Sequence, residues 1–292
     1  MNVGFVGLGI MGRPMALNLG KAGHALWVHG RRPETMEPLV AAGAKACGSP
    51  QEVAANTDVI FVMVSDTPDV EQVILGEKGV VHGARKGAIV VDMSTISPNA
   101  TRRMAAALAA RGIEMLDAPV SGGEVGAING TLSIMVGGKA PVFEKVLPLF
   151  QVMGKNIVHV GDNGAGQVAK ACNQIVVALT IEAVAEALTF ARRNNVDAAK
   201  VRAALMGGFA GSKILEVHGQ RMLDNDFKPG FKTKLHQKDL RIVLEDAGAL
   251  GLGLPGAALV SQHLNALVGS GDGELDSSAI VKAVERLSAP SR

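Results

Sequence analysis

Residues 2–19, NVGFVGLGIMGRPMALNL, constrain the fold of this chain more than any other stretch. Val3, Phe5 and Val6 read as a short buried strand. Gly7-Leu8-Gly9-Ile10-Met11-Gly12 follows, and then an apolar helix with Met11, Met15, Ala16 and Leu19 on one side. Strand, G-x-G-x-x-G and helix in that order form a dinucleotide-binding signature, whereas the bare motif also occurs in ordinary glycine-rich turns. In that reading Gly7 allows the tight turn, Gly9 lets a pyrophosphate approach the backbone, and Gly12 lets the helix pack on the strand. The free N–H groups and positive dipole end of the helix then face the phosphates. Residues 7–12 are therefore the first candidate cofactor-binding residues.

The second strand, Ala25–Val28, runs into His29-Gly30-Arg31-Arg32. A dinucleotide fold reads the adenine ribose at this point. An acidic residue there bonds the 2′-hydroxyl of NAD, and an arginine accommodates the 2′-phosphate of NADP. Arg31 and Arg32 stand there without an acid, so NADP(H) is preferred. Glu34, just beyond, keeps NAD(H) open.

Strands and helices alternate as far as residue 160. Ser49-Pro50 marks a capped helix start, with the proline at the first position. Asp58–Val64 is a continuous apolar run, as in a strand buried on both faces. Its last residues, Met63 and Val64, fall at the strand end where open α/β sheets hold ligands. Ala88–Asp92 ends in Met93-Ser94-Thr95-Ile96-Ser97-Pro98. Thr95 there reaches a cofactor or caps the next helix, and Ser97 reads as the cap. Ile113–Leu116 leads into Asp117-Ala118-Pro119-Val120-Ser121-Gly122-Gly123. Ser121, Gly122 and Gly123 offer a hydroxyl and closely spaced N–H groups, a nest suited to a carboxylate, although a plain turn has the same residues. Leu132–Val136 and Ile157–Val160 complete the strands. This alternation predicts a doubly wound, mainly parallel sheet, placed in a domain over residues 1–162.

Residues 163–292 read as all-helical. Gly164-Ala165-Gly166 opens a helix of about 30 residues that is apolar on nearly all sides, so burial between domains or in a subunit interface is expected. Lys170 is a cation near its start and needs a partner or a task. Asn173 and Gln174 share its side of the helix. Further helices follow over 198–205, 213–222, 232–250, 257–267 and 277–287. Lys234 and Lys238 repel mildly at i, i+4, and Lys234 reads as solvated.

Composition removes several classes. A net charge of +2 and 3% aromatic residues leave neither a basic surface nor stacking platforms for nucleic acid. Cys47 and Cys172 form no disulfide framework, which fits a reducing, cytoplasmic setting. Glu182 and Glu186 interrupt the most apolar stretch, so no membrane span is expected. With no tyrosine, a Tyr-x-x-x-Lys dehydrogenase is excluded. Two cysteines and scattered histidines, His218 and His236 among them, make a poor zinc site, and no metal is expected. A dinucleotide domain followed by a helix carrying a lysine suggests hydride chemistry with a lysine general acid.

Four signatures resemble the β-hydroxyacid dehydrogenase family along essentially the whole chain. They are Gly7–Leu19, Asp117–Gly123, Gly164–Gln174 and Lys238-Asp239-Leu240. The resemblance implies a Rossmann domain joined to an all-helical domain by the long helix, which also mediates formation of a homodimer or homotetramer. It implies Lys170 as proton donor and acceptor, with Ser121, Gly122, Gly123 and Asn173 on the substrate. It brings Thr95, Met63, Val64, Phe231 and Lys238 towards the cofactor. The substrate is then a short carboxylic-acid aldehyde, and Glu124, Gly130–Met135 and Pro229-Gly230-Phe231 resemble the branch that reduces 2-hydroxy-3-oxopropanoate to D-glycerate. Relatives that handle 3-hydroxyisobutyrate, succinic semialdehyde or glyoxylate differ by a methyl or methylene. A non-catalytic cofactor sensor or scaffold is the contrasting reading, and Lys170 with Asn173 argues against it.

Overall fold

The computed structural model describes residues 1–287. Two compact units divide it, Met1–Lys170 and the residues from Ala171 on.

In the first unit β1 (Asn2–Val6), α1 (Gly12–Lys21), β2 (Ala25–His29), α2 (Glu37–Ala41) and β3 (Lys45–Ala46) come first. Next are α3 (Pro50–Ala55), β4 (Val59–Val62), α4 (Thr67–Leu75), β5 (Ile89–Asp92), α5 (Pro98–Ala109) and β6 (Glu114–Asp117). Then follow β7 (Val120–Ser121), α6 (Gly123–Asn129), β8 (Leu132–Gly137), α7 (Ala140–Met153) and β9 (Gly154–Gly161). The strand order is β3-β2-β1-β4-β5-β6-β8-β7, with β9 beside β8. From β3 to β6 every pair is parallel, and β8 turns antiparallel to β6 and β7. The chain leaves β1 first towards β2 and later returns on its other side as β4. That reversal is the switch point at which doubly wound sheets bind ligands.

Strand β4, in the middle of the sheet, is apolar throughout, as expected where helices cover both faces. Every residue of β4 is buried. Phe5, Phe61 and Val91 face one layer, where Phe5 and Phe61 stack with centroids 5.9 Å apart. Ile60, Val62 and Val90 face the other. Ser49 caps α3 by accepting from the Glu52 amide (3.2 Å), and Ser97 caps α5 by accepting from that of Ala100 (3.4 Å).

The second unit is helical. It comprises most of α8 (Ala165–Arg193), then α9 (Ala198–Met206), α10 (Lys213–Asp224), α11 (Thr233–Ala249), α12 (Pro255–Gly269) and α13 (Ile280–Leu287). Ala178, Ile181, Ala185 and Leu188 of α8 follow helical spacing and enter its core with Leu240, Leu264 and Ile280. By length and composition α8 could cross a bilayer, but half of its apolar stretch is buried inside the protein. Val176 and Phe190 of α8 are 65% and 72% exposed in the single chain.

Candidate active site

The first unit assembles its candidate residues from loops at the carboxyl ends of β1, β4, β5 and β6. Gly7 has a φ of +97°, and a Cβ there would lie 2.2 Å from the Met63 carbonyl. A Cβ on Gly12 would lie 1.9 Å from the Gly7 carbonyl, so the helix packs on the turn as closely as the motif requires. Gly9 is different, since a Cβ there would meet no atom within 4 Å. Protein packing does not demand glycine at Gly9, whereas close approach of a phosphate does. No side chain caps the start of α1, where the Arg13 amide donates to the Gly9 carbonyl (3.1 Å) and Pro14 has no N–H, so an anion there would be met by the turn amides that precede them. Leu8 is buried, Met11 half-buried and Ile10 exposed, so the turn offers its backbone more than its side chains. These observations fit a bound dinucleotide pyrophosphate.

Arg31 and Arg32 follow β2 on the surface. Arg31 leans on Asp69 of α4 at 3.4 Å, and Arg32 on Glu34 at 3.7 Å. Glu34 is thus engaged by one of the two arginines. Met63 and Val64 are half-buried beyond β4. The Met63 amide donates to the Val6 carbonyl (2.9 Å) and the Val64 amide to Ser94 Oγ (2.9 Å). Backbone and hydroxyl bonds thereby tie together the ends of β1, β4 and β5. Thr95 lies half-buried in the same loop as Ser94. It is not the cap of α5, a position that Ser97 fills.

Asp117 ends β6 and is fully buried. Its Oδ1 accepts from the Gly164 amide (2.8 Å) and its Oδ2 from that of Gln167 (3.0 Å). Burial pushes the Asp117 carboxyl above the usual range, while the amides of Gly164 and Gln167 pull against that shift. The carboxylate thus grips the start of α8. One turn on, Lys170 is 7% exposed, and its Nζ donates to the Val120 carbonyl at 2.7 Å. Val120 directly precedes Ser121. Val120 and Ser121 form the short strand β7, paired antiparallel with β8. Gly122 and Gly123 after it have φ of +136° and +62°, in the range open to glycine. Lys170 and the Ser121–Gly123 stretch therefore meet within one unit.

The second unit holds the remaining candidates. Asn173 Nδ2 donates to Gln174 Oε1 (2.7 Å), and Gln174 Nε2 donates to Asp239 Oδ2 (2.5 Å). Lys238 pairs with the other oxygen of Asp239 at 2.9 Å. One buried carboxylate thus links Asn173 on α8, through Gln174, with Lys238 on α11. Lys234 is exposed and pairs with the exposed Glu274, so the two lysines have separate counter-ions and Lys234 lies on a solvated face. Phe231 is half-buried just before α11, with its ring 5.5 Å from that of His236. Asp276 accepts from the amides of Gly230 (2.9 Å) and Phe231 (3.0 Å) and from Ser278 Oγ (2.7 Å), and it pairs with Arg221 (2.9 Å). His236, read as a helix-face residue, is buried. Among the described residues no three His, Cys, Asp or Glu side chains gather to hold a metal ion.

The sequence reading did not single out Asp117, Gln167, Asp239 or Asp276 as individuals. Asp117, Gln167 and Asp239 lie inside the signatures quoted above. Asp276 carried no local signal.

A doubly wound sheet that opens on a strand, a glycine turn and a helix, together with a buried lysine beside a Ser-Gly-Gly stretch, is the framework of a nicotinamide-dependent oxidoreductase. The NAD-binding domain model of 6-phosphogluconate dehydrogenase matches residues 2–161. The model described as NAD-binding of NADP-dependent 3-hydroxyisobutyrate dehydrogenase matches residues 164–284. The chain is 53% identical to 2-hydroxy-3-oxopropionate reductase of Escherichia coli K12, over 98% of this chain and 97% of that one. It is 37% identical to 3-hydroxyisobutyrate dehydrogenase of Pseudomonas aeruginosa, over 96% and 97%. Among solved structures, 3-hydroxyisobutyrate dehydrogenase of Mycobacterium tuberculosis, studied with L-serine, superposes with a TM-score of 0.88 at 32% identity, over 97% and 98% of the two chains. This chain belongs to the β-hydroxyacid dehydrogenase family, oxidoreductases that act on CH–OH groups with NAD(P).

Proposed function

We propose that this enzyme reduces 2-hydroxy-3-oxopropanoate to D-glycerate, with NADPH preferred over NADH and Lys170 as the general acid. The observation that carries the reading is the Lys170 ammonium 2.7 Å from the carbonyl next to Ser121. When bound, the nicotinamide supplies hydride to the aldehyde carbon. Protonated Lys170 gives its proton to the aldehyde oxygen and takes it back in the reverse direction. The Ser121 hydroxyl and the Gly122 and Gly123 amides hold the substrate carboxylate, and Asn173 holds a second polar group. Residues 7–12, Met63, Val64, Thr95, Phe231 and Lys238 hold the cofactor, and Arg31 and Arg32 face its 2′-phosphate. The exposed apolar strip of α8, Val176 and Phe190 included, packs against a second copy of the chain.

The 53% identity to a 2-hydroxy-3-oxopropionate reductase supports this substrate over the others. The family model over 164–284 favours 3-hydroxyisobutyrate as the competing one. One methyl group changes binding by only about 1–3 kcal/mol, so kcat/KM must decide. Assays with 2-hydroxy-3-oxopropanoate, the aldehyde of 3-hydroxyisobutyrate, succinic semialdehyde and glyoxylate, each with NADPH and NADH, test the reading. A preference of about 10-fold or more for the first is expected. A higher kcat/KM for any of the other three assigns the substrate elsewhere.

A further inference from the structure

Gln167 is 1% exposed and uses both ends of its side-chain amide. Its Nε2 donates to the Ser94 carbonyl at 2.8 Å, and its Oε1 accepts from the Ile96 amide at 3.1 Å. Those two backbone groups flank Thr95. Ser94 and Ile96 are themselves buried, so without Gln167 a carbonyl and an amide would lack these partners away from water. Gln167 also precedes Lys170 by three residues on α8, and positions three apart share a helix face. Its own amide is held by Asp117. Through Ser94 Oγ, which accepts from the Val64 amide, the same link reaches the end of β4.

We propose that Gln167 is a positioning residue, a two-pronged strut that fixes Lys170 relative to the Ser94–Ile96 loop. This rests on the reading of Lys170 as proton donor and Thr95 as cofactor-side residue. A general acid works only when it is held within hydrogen-bond reach of the oxygen it protonates. A lysine free to swing by an ångström loses turnover while binding persists. The demand is for one donor and one acceptor at fixed spacing, which glutamine meets and an ionised glutamate does not. A protonated glutamate meets it again, since its O–H donates and its carbonyl accepts.

Two variants test the strut. Gln167→Met keeps the length and removes both bonds, and kcat should fall about 10- to 100-fold. Cofactor affinity should fall by less than kcat does, because Thr95 is one of many cofactor contacts and the main loss falls on a step after binding. Gln167→Glu should be impaired at neutral pH and recover towards unsubstituted turnover as the pH falls, when both rates are compared at each pH. A Gln167→Met kcat within about twofold of the parent, or a Gln167→Glu ratio that stays flat with pH, overturns the proposal. The Lys170→Ala background separates the two layers of the argument. If Gln167 acts through the lysine, Gln167→Met has little further effect there, and a full additional loss overturns the proposal. Near-normal turnover of Lys170→Ala alone instead overturns the general-acid reading, whatever Gln167→Met does.

Discussion

The two units hold their candidate residues by different means. In the first, main-chain groups at strand ends do most of the work, and the buried Asp117 carboxylate there accepts from the Gly164 and Gln167 amides. Gly7 lies against Met63, the Val64 amide bonds Ser94, and Lys170 rests on a carbonyl. In the second, buried carboxylates hold the parts together. Asp239 joins Gln174 to Lys238, and Asp276 collects the 230–231 loop, Ser278 and Arg221. Backbone scaffolding depends on steric fit and is insensitive to charge. Carboxylate scaffolding tolerates small changes of shape but not loss of the charge.

Gly7→Ala should produce the largest effect. It places a methyl group against a carbonyl at a positive φ, and about 3 kcal/mol or more of stability should be lost. Denaturant unfolding measures it, and a loss under about 1 kcal/mol would mean that the turn yields more readily than the geometry implies. Asp276→Ala strips five groups of a shared acceptor, the Ser278 amide included, and should cost about 3 kcal/mol, with a raised KM for the cofactor through a loosened Phe231 loop. An unchanged KM would detach Phe231 from cofactor binding. Arg31→Ala should cost little stability and raise the KM for NADPH about 10-fold while sparing NADH, equal to about 1.4 kcal/mol. Equal effects on both cofactors would remove Arg31 from the 2′-phosphate.

The smallest effect is the pH dependence. Burial pushes the Asp276 carboxyl up, but the Ser278 hydroxyl, the Phe231 and Ser278 amides and Arg221 together hold it below the usual value. A depressed folded pKa gives stability that is present above the unfolded value of about 3.9 and lost as the pH falls through the folded one. Asp117 has the opposite sign, since burial raises it, so its contribution is lost as the pH rises through its folded pKa. Acid titration of unfolding should therefore show a loss that Asp276→Asn removes and Asp117→Asn does not. The same loss in both variants would contradict the contrast.

Legibility in the sequence divides along the range of the interactions. The glycine turn, the Ser49 and Ser97 caps and the length of α8 depend on residues a few positions apart, so spacing alone displays them. Strand β7 has two residues and no periodicity to read, and its pairing with β8 supplies what the local sequence lacks. Helix α7 carries Pro148 in its interior, a residue that ordinarily interrupts a helix. The Gln167 bonds span 71 and 73 residues and the Gln174–Asp239 bond 65, so only the folded chain brings those partners together. The sequence order of the signatures conveyed the family, whereas the fastenings between them came from tertiary structure.

Turnover of Lys170→Ala on 2-hydroxy-3-oxopropanoate with NADPH, measured beside NADPH affinity by fluorescence titration, addresses the chemistry most directly. The account requires turnover at least ~100-fold below the parent with affinity preserved. Turnover close to the parent, with the cofactor bound equally well, would show that the ammonium beside Val120 is not the proton donor.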